Sequence, residues 1–243
     1  MTQHGKDTGI CLGEFDITRW LNEVSGDRSI DAADASCFDE PKGAKVYVAG
    51  LNDGTFSWSG REQGKVTDTN VRQTFEGIAA LEAGVPFTVG IQRGFHPGRL
   101  AEMGNVLVTS ANVSAPVSDV VSVSGDLQSD GPIYTGKVLT QKAPYDGAAT
   151  NGTTVDYLTA SVGALIHYHV TQNTRNGQVT VTVQDSTNGT LWVDVDQFQV
   201  AAGEILSEAT IVTTGLDRYV RVVVSLAGTT GTATIRVALA DRK

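Results

Sequence analysis

Between Glu14 and Gly60 the chain sets two arms of evenly spaced apolar residues around a long acidic insert. Even spacing puts side chains on one face of a pleated strand. Phe15, Ile17 and, past a kink, Leu21 mark the first arm. Val46, Val48, Phe56 and Trp58 mark the second, with a turn signal at Asn52-Asp53-Gly54 inside it. The arms therefore read as partners in one antiparallel hairpin. Between them runs Ile30 to Lys45, where Asp31, Asp34, Asp39 and Glu40 outnumber Lys42 and Lys45. It holds a Pro and a Gly and no sustained apolar period. Such a loop is far longer than a tight turn, and loops of this kind carry function or disorder. A hairpin with a long acidic tip suits a protein that reaches out to a neighbour better than it suits an enzyme core.

Only one stretch outside the hairpin reads as helix. Over Thr67 to Ala83, Val71, Phe75, Ile78 and Leu81 recur at helical spacing, Thr67 or Asp68 can cap the start, and Gly84 and Pro86 end it. A lone amphipathic helix in a strand-rich chain packs most simply across a sheet. Residues 1–13 read as a free arm. Strands are expected at Pro86–Ile91, Asn105–Thr109 and Val117–Ser129, with 92–104 a loop in which Arg93, His96 and Arg99 are solvated. Residues 143–154, APYDGAATNGTT, are the best domain boundary. Beyond them come seven short strands with turn chemistry between, Asn176-Gly177 and Asn188-Gly189 being strong hairpin signals. The expected architecture is mainly β. An assembly domain, 1–142, is a β-sandwich or half-barrel with one flanking helix. A linker, 143–154, leads to an accessory β-sandwich, 155–243.

Charge narrows the partners. A net charge of −9 argues against a basic grip on nucleic acid, which needs clustered Lys and Arg, but not against a surface past which nucleic acid slides. Two cysteines, Cys11 and Cys37, make no disulfide framework and are expected as free thiols. The N-terminus has no apolar core like a signal peptide's, and no run of 18 apolar residues occurs, so synthesis in a cytoplasm and no membrane partner are expected.

No constellation singles out chemistry. His167 and His169 share one strand face, and Asp194 and Asp196 share another. Together they have the donors for zinc, but both pairs read more simply as the polar, solvent-facing sides of two strands. GPIYTGKV, 131–138, nearly matches a phosphate-binding loop, yet Val138 stands where Ser or Thr would hold magnesium. No G-x-S-x-G occurs, and Cys37 lies among acids that blunt a thiol. Asn112, Asn151 and Asn188 open N-x-[ST] triplets and read as turn residues. The expectation is no enzyme, no cofactor and no metal.

One resemblance joins these pieces. The order of strand, WLNEVS, acidic loop, VAGLNDGTFSWSG and helix resembles the major tail tube protein of long-tailed bacteriophages over roughly residues 1–140. The resemblance implies a structural virion protein. Such subunits close into hexameric rings that stack around a lumen for DNA, are assembled in the host cytoplasm, and end in the virion tail. It implies contacts with further copies and with tape measure, terminator and distal tail proteins. It places assembly contacts in the acidic loop, at Asp34, Cys37, Phe38, Asp39, Glu40, Pro41, Lys42 and Lys45. The alternative is a virion surface module that binds carbohydrate or a host cell through the C-terminal sandwich, where Tyr168, Trp192, Phe198 and Tyr219 are the available aromatics.

Overall fold

The computed structural model describes residues 8–34, 47–61, 71–80, 83–91, 94–118, 120–147 and 149–242. The chain is mainly β with one short helix. The first half holds β1 (Gly9–Leu12), β2 (Phe15–Asp16), β3 (Leu21–Asp34), β4 (Tyr47–Arg61), α1 (Val71–Ala79), β5 (Val85–Gly90), β6 (Leu100–Ser114), β7 (Ser122–Ser129) and β8 (Tyr134–Val138). The second holds β9 (Ala149–Asn151), β10 (Val155–Asp156), β11 (Gly163–Asn173), β12 (Val179–Ser186), β13 (Val193–Val200), β14 (Leu206–Val212), β15 (Tyr219–Leu226) and β16 (Ala233–Arg242).

Three cores lie in a row. In the first, the apolar faces of β4 and β7 cover β1, β5 and β6. Phe56, Trp58, Leu127, Leu12 and Phe87 meet there. Helix α1 closes it. Phe75 is fully buried and stacks on Trp58 with ring centroids 3.8 Å apart, and Ile78 follows one turn later. These two residues carry the apolar face that the sequence spacing predicts. The proposed cap at Thr67 or Asp68 lies outside the described residues. The third core is a sandwich. Ile166, Tyr168, Val170, Ile235 and Val237 pack on Val181, Val183, Val222, Val224 and Phe198 of the sheet β10-β15-β12-β13. A half-barrel with a flanking helix and a C-terminal β-sandwich are thus both present.

The second core joins them. Strand β16 pairs with β11 on one side and with β8 on the other, so one sheet runs on through both halves in the order β14-β11-β16-β8-β6-β5-β1-β2. That sheet curls until β5 touches β11 and β14. Cys11, Phe95, Ala101, Met103 and Val138 then meet Leu165, Ala238 and Ala240 inside the roll. Strands β11 and β16 are consequently buried on both faces, eight consecutive residues in each.

Several local expectations change. Residues 9–12 are no free arm: β1 is held between β5 and β2. The loop expected over 92–104 ends at Arg99, because Leu100 already pairs with Lys137. Strand β7 starts only at Ser122, leaving Val117 fully exposed. Asn176-Gly177 does not close a hairpin, since β11 and β12 belong to different sheets. The turn instead carries the chain across the sandwich, where the Asn176 side-chain oxygen accepts from the amides of Thr229 and Thr230. Asn188-Gly189 does join paired strands, β12 and β13, with Gly189 at a φ of 74°. Within 143–154, Tyr145 is buried and bridges Ala233, and β9 pairs with β15.

Candidate functional site

Four long strands, β3-β4-β7-β6, form a surface unlike the rest of the molecule. Their lengths of 14, 15, 8 and 15 residues give the longest of them roughly 45–50 Å at about 3.3 Å per residue. Register fixes two faces. Val24, Gly26, Phe56, Trp58, Val123 and Leu127 sit on the core side. The opposite side carries Glu23, Ser25 and Asp27 of β3, and Asp53, Thr55, Ser57 and Ser59 of β4. Ser122, Ser124, Asp126 and Gln128 of β7 continue it.

That outer face is a mesh of hydroxyls, amides and carboxylates. Ser57 Oγ donates to Asp126 at 2.7 Å, and Ser110 Oγ donates to the same carboxylate at 3.0 Å. Ser59 donates to Asn22 at 3.0 Å, and Gln128 donates to Asp53. Among the described residues, four acids, Glu23, Asp27, Asp53 and Asp126, share this face with one base, Arg61. Arg28 turns to the other side, where it pairs with Glu102 at 3.0 Å.

Among the described residues, both edges of this sheet are open, and β3 pairs with β4 alone. Val106 of β6 is paired on both sides, with Val85 and with Ser129. Beyond it, residues 107–114 pair with β7 only. Val113 shares the core side of buried Val123, yet is 44% exposed, because among the described residues no strand follows at this edge. Long unpaired edges are templates for pairing with another chain, and most proteins blunt them.

Of the residues expected to make assembly contacts, Asp34 ends β3 opposite Tyr47. Cys37, Phe38, Asp39, Glu40, Pro41, Lys42 and Lys45 lie outside the described residues. Sequence reasoning named the hairpin but missed the second edge, on β6. The alternation at 105–114 (Val106, Val108, Ser110, Asn112) carried that signal, but it fades into polar residues and read as a short strand.

The histidines require a correction. His167 and His169 are fully buried, not solvent-facing, because β5 and β2 cover the β11 face on which they lie. Thr88 Oγ1 bridges His167 Nδ1 at 3.1 Å and His169 Nε2 at 2.8 Å, and His169 Nδ1 meets the Gly13 carbonyl at 2.6 Å. Asp194 and Asp196 are nowhere near. They belong to the other sheet, where Tyr168, on the opposite face of β11, donates to Asp196 at 2.9 Å and Gln184 donates to Asp194 at 2.7 Å. No metal site joins the four. In GPIYTGKV, Lys137 Nζ donates to the Asp156 carbonyl at 2.7 Å and lies over the Tyr157 ring, and Gly136 abuts the backbone of Leu239. Residues 134–138 form a packed strand, and among the described residues no helix follows to receive a phosphate. Asn188 is a turn residue, its side-chain oxygen accepting from the amides of Thr190 and Leu191.

No protein-family model and no curated protein matches the chain. Solved structures with a related course of the backbone include the virion of a native gene transfer agent particle, at 18% identity and a TM-score of 0.43, covering 55% of this chain and 98% of that one. The tail tube of phage SPP1 matches at 16% identity and a TM-score of 0.41, covering 56% and 80%. The SPP1 Dit protein, from the hub adsorption apparatus of a phage infecting Gram-positive hosts, matches at 14% identity and a TM-score of 0.39, covering 97% and 99%.

Proposed function

We propose that this chain is a non-enzymatic structural subunit of a bacteriophage tail, of the tail tube kind. The observation that carries the reading is the four-stranded sheet with two unpaired edges and one polar, acid-bearing face. Pairing the β3 edge of one copy with the 107–114 edge of the next extends the sheet around a ring. Closure removes both edges and covers Val113. The resemblance in the first half makes six copies the expected number. The polar face then lines the lumen. Its hydroxyls and its excess of acids over bases give a phosphate backbone nothing to hold, so DNA passes without sequence-specific contact.

On this reading residues 1–142 do the assembling, 143–154 link, and 155–243 form an accessory module on the outside of the tube. Rings stack through the acidic loop, with Asp34, Cys37, Phe38, Asp39, Glu40, Pro41, Lys42 and Lys45 meeting the neighbouring copy. Tape measure, terminator and distal tail proteins are the other expected partners, and the virion tail, built in the host cytoplasm, is the expected location.

Electron microscopy of the concentrated, purified chain tests the proposal and is expected to show tubes or rings. A chain that stays monomeric by sedimentation at every concentration and salt tried would sink it. Deleting Ala35 to Gly43 and closing the gap with a short Gly-Ser turn is expected to leave the monomer's melting temperature within a few degrees. The same deletion should abolish or shorten the tubes. Normal tubes from the deleted chain would refute the contact role of the loop.

A further inference from the structure

The four-stranded sheet has two unlike ends. At one, β3 and β4 run on together where β7 has stopped. Thr55 of β4 still meets Gln128 of β7, but residues 47–54 pair with β3 alone. This two-stranded ribbon overhangs the sheet by roughly 25 Å at about 3.3 Å per residue. At the other end, Leu21 meets Gly60, Arg61 meets Ser122, and Ser122 meets Ser114. The turn between β6 and β7 therefore closes the sheet at the end opposite the ribbon.

That turn shows solvent an apolar surface. Ala111 to Ser122 reads ANVSAPVSDVVS, with one charged residue, Asp119, although 19% of the chain is charged. Val113, Ala115, Pro116, Val117 and Val120 are all exposed, Val117 completely. Single exposed apolar residues need no explanation, but a group of them at one tip marks a surface that another molecule covers. Pro116 fixes its own φ and restricts Ala115, so the tip is partly ordered beforehand and loses less entropy on being covered. Val113 also belongs to the open β6 edge, so the tip continues the surface that ring closure would cover.

We propose that the β6–β7 tip is the docking surface for a second copy of this chain in the adjoining ring, and that it takes the overhanging β3–β4 ribbon of that copy. This contact rests on the assembly reading above and supplies the other half of the ring-to-ring junction. Rotation about a ring axis points every copy the same way. Strands that run from rim to rim then put all the ribbons on one rim and all the tips on the other. Head-to-tail stacking brings ribbon to tip at every junction, and the same heterologous contact repeats along the tube.

The test compares the full chain with two variants, Val117→Ser with Val120→Ser and Val117→Ile with Val120→Ile, by electron microscopy and sedimentation. Both positions are exposed, so all three forms should melt within a few degrees of one another. The serine form should still close rings but need at least about tenfold more protein to form tubes, the loss expected when two valines stay in water. The isoleucine form should make tubes as the parent does. A photoreactive benzophenone side chain placed at position 118 should cross-link, within tubes, to residues 29–34 or 47–54 of another copy, read by mass spectrometry. Tubes from the serine form at the parent's concentration overturn the contact. Serine-form chains that fold but close no rings overturn its place between rings, and cross-links confined to residues 21–28 or 107–114 do the same. A parent that forms neither rings nor tubes removes the assembly reading and this contact with it.

Discussion

His169 has both ring nitrogens engaged inside the seam, and the chemistry of its partners fixes its proton. A carbonyl only accepts, so Nδ1 carries the hydrogen toward Gly13, and Nε2 accepts from Thr88. Thr88, having donated, accepts from His167 Nδ1, leaving His167 Nε2 buried without a partner. Both rings are therefore held neutral. Burial drives the pKa of His169 down to about 4 and that of His167 well below the usual imidazole value, with His169 adding to the second shift. The unfolded chain takes up these protons near pH 6.5 and the folded chain does not, so stability is complete above that pH and declines as pH falls toward 4. His169 alone contributes a loss of about 3 kcal/mol over that window. Urea unfolding at pH 7, 5.5 and 4.5 measures it, and His169→Gln should flatten the decline while lowering stability at pH 7. An unchanged pH profile in that variant would show that the loss lies elsewhere. Even spacing in HYHV revealed which residues share a face, but not that a further layer covers that face. Thr88, the lone hydroxyl in the apolar run PFTVGI, was the available hint of a buried polar partner.

At the scale of elements, the assembly reading turns on β6. Its amides alternate between β7 and the open edge beyond Val106. Proline removes one backbone donor, so its effect depends on which way that donor points. Of Asn112→Pro and Val113→Pro, the one whose amide faces outward should melt within a few degrees of the parent and fail to form tubes. The one whose amide faces β7 should lose stability as well. Thermal melts with electron microscopy separate them, and normal tubes from both would remove this edge from the interface. The strands of the second half were legible because each has its own turn chemistry. Two features were not. Strand β6 runs through LAEM, 100–103, which reads as loop because Gly98 and Gly104 stand close on either side. The Asn176-Gly177 turn has hairpin chemistry, but the strands on either side find their partners in opposite sheets.

For the whole molecule, the seam decides how separable the halves are. The functional division proposed at 143–154 does not imply independent folding. Ending the chain at Lys142 would strip Leu165, Ala238 and Ala240 from Cys11, Met103 and Val138, all three of them fully buried in the intact chain. It would also leave Thr88 and the Gly13 carbonyl without their histidines. Uncovering apolar surface and buried polar groups together is expensive. Residues 1–142 alone are therefore expected to aggregate or to melt far below the full chain. A soluble fragment that melts near the parent's temperature would show that the seam contributes little.

Strand β16 has one more consequence, and it concerns time. It is the last strand described in the chain, yet it lies in the middle of the sheet, between β11 and β8. Until residues 233–242 leave the ribosome, β8 and β11 each wait with one side unfilled, and the two halves have no common sheet. Pairing across such sequence distances is slow, because the loop must close before the contacts form. The seam thus stays unfinished until β16 itself has been made. Nascent chains translated side by side on one messenger therefore pass through a period in which unfilled strands sit close to one another, and the speed of that final insertion sets how many reach the folded state instead of an aggregate.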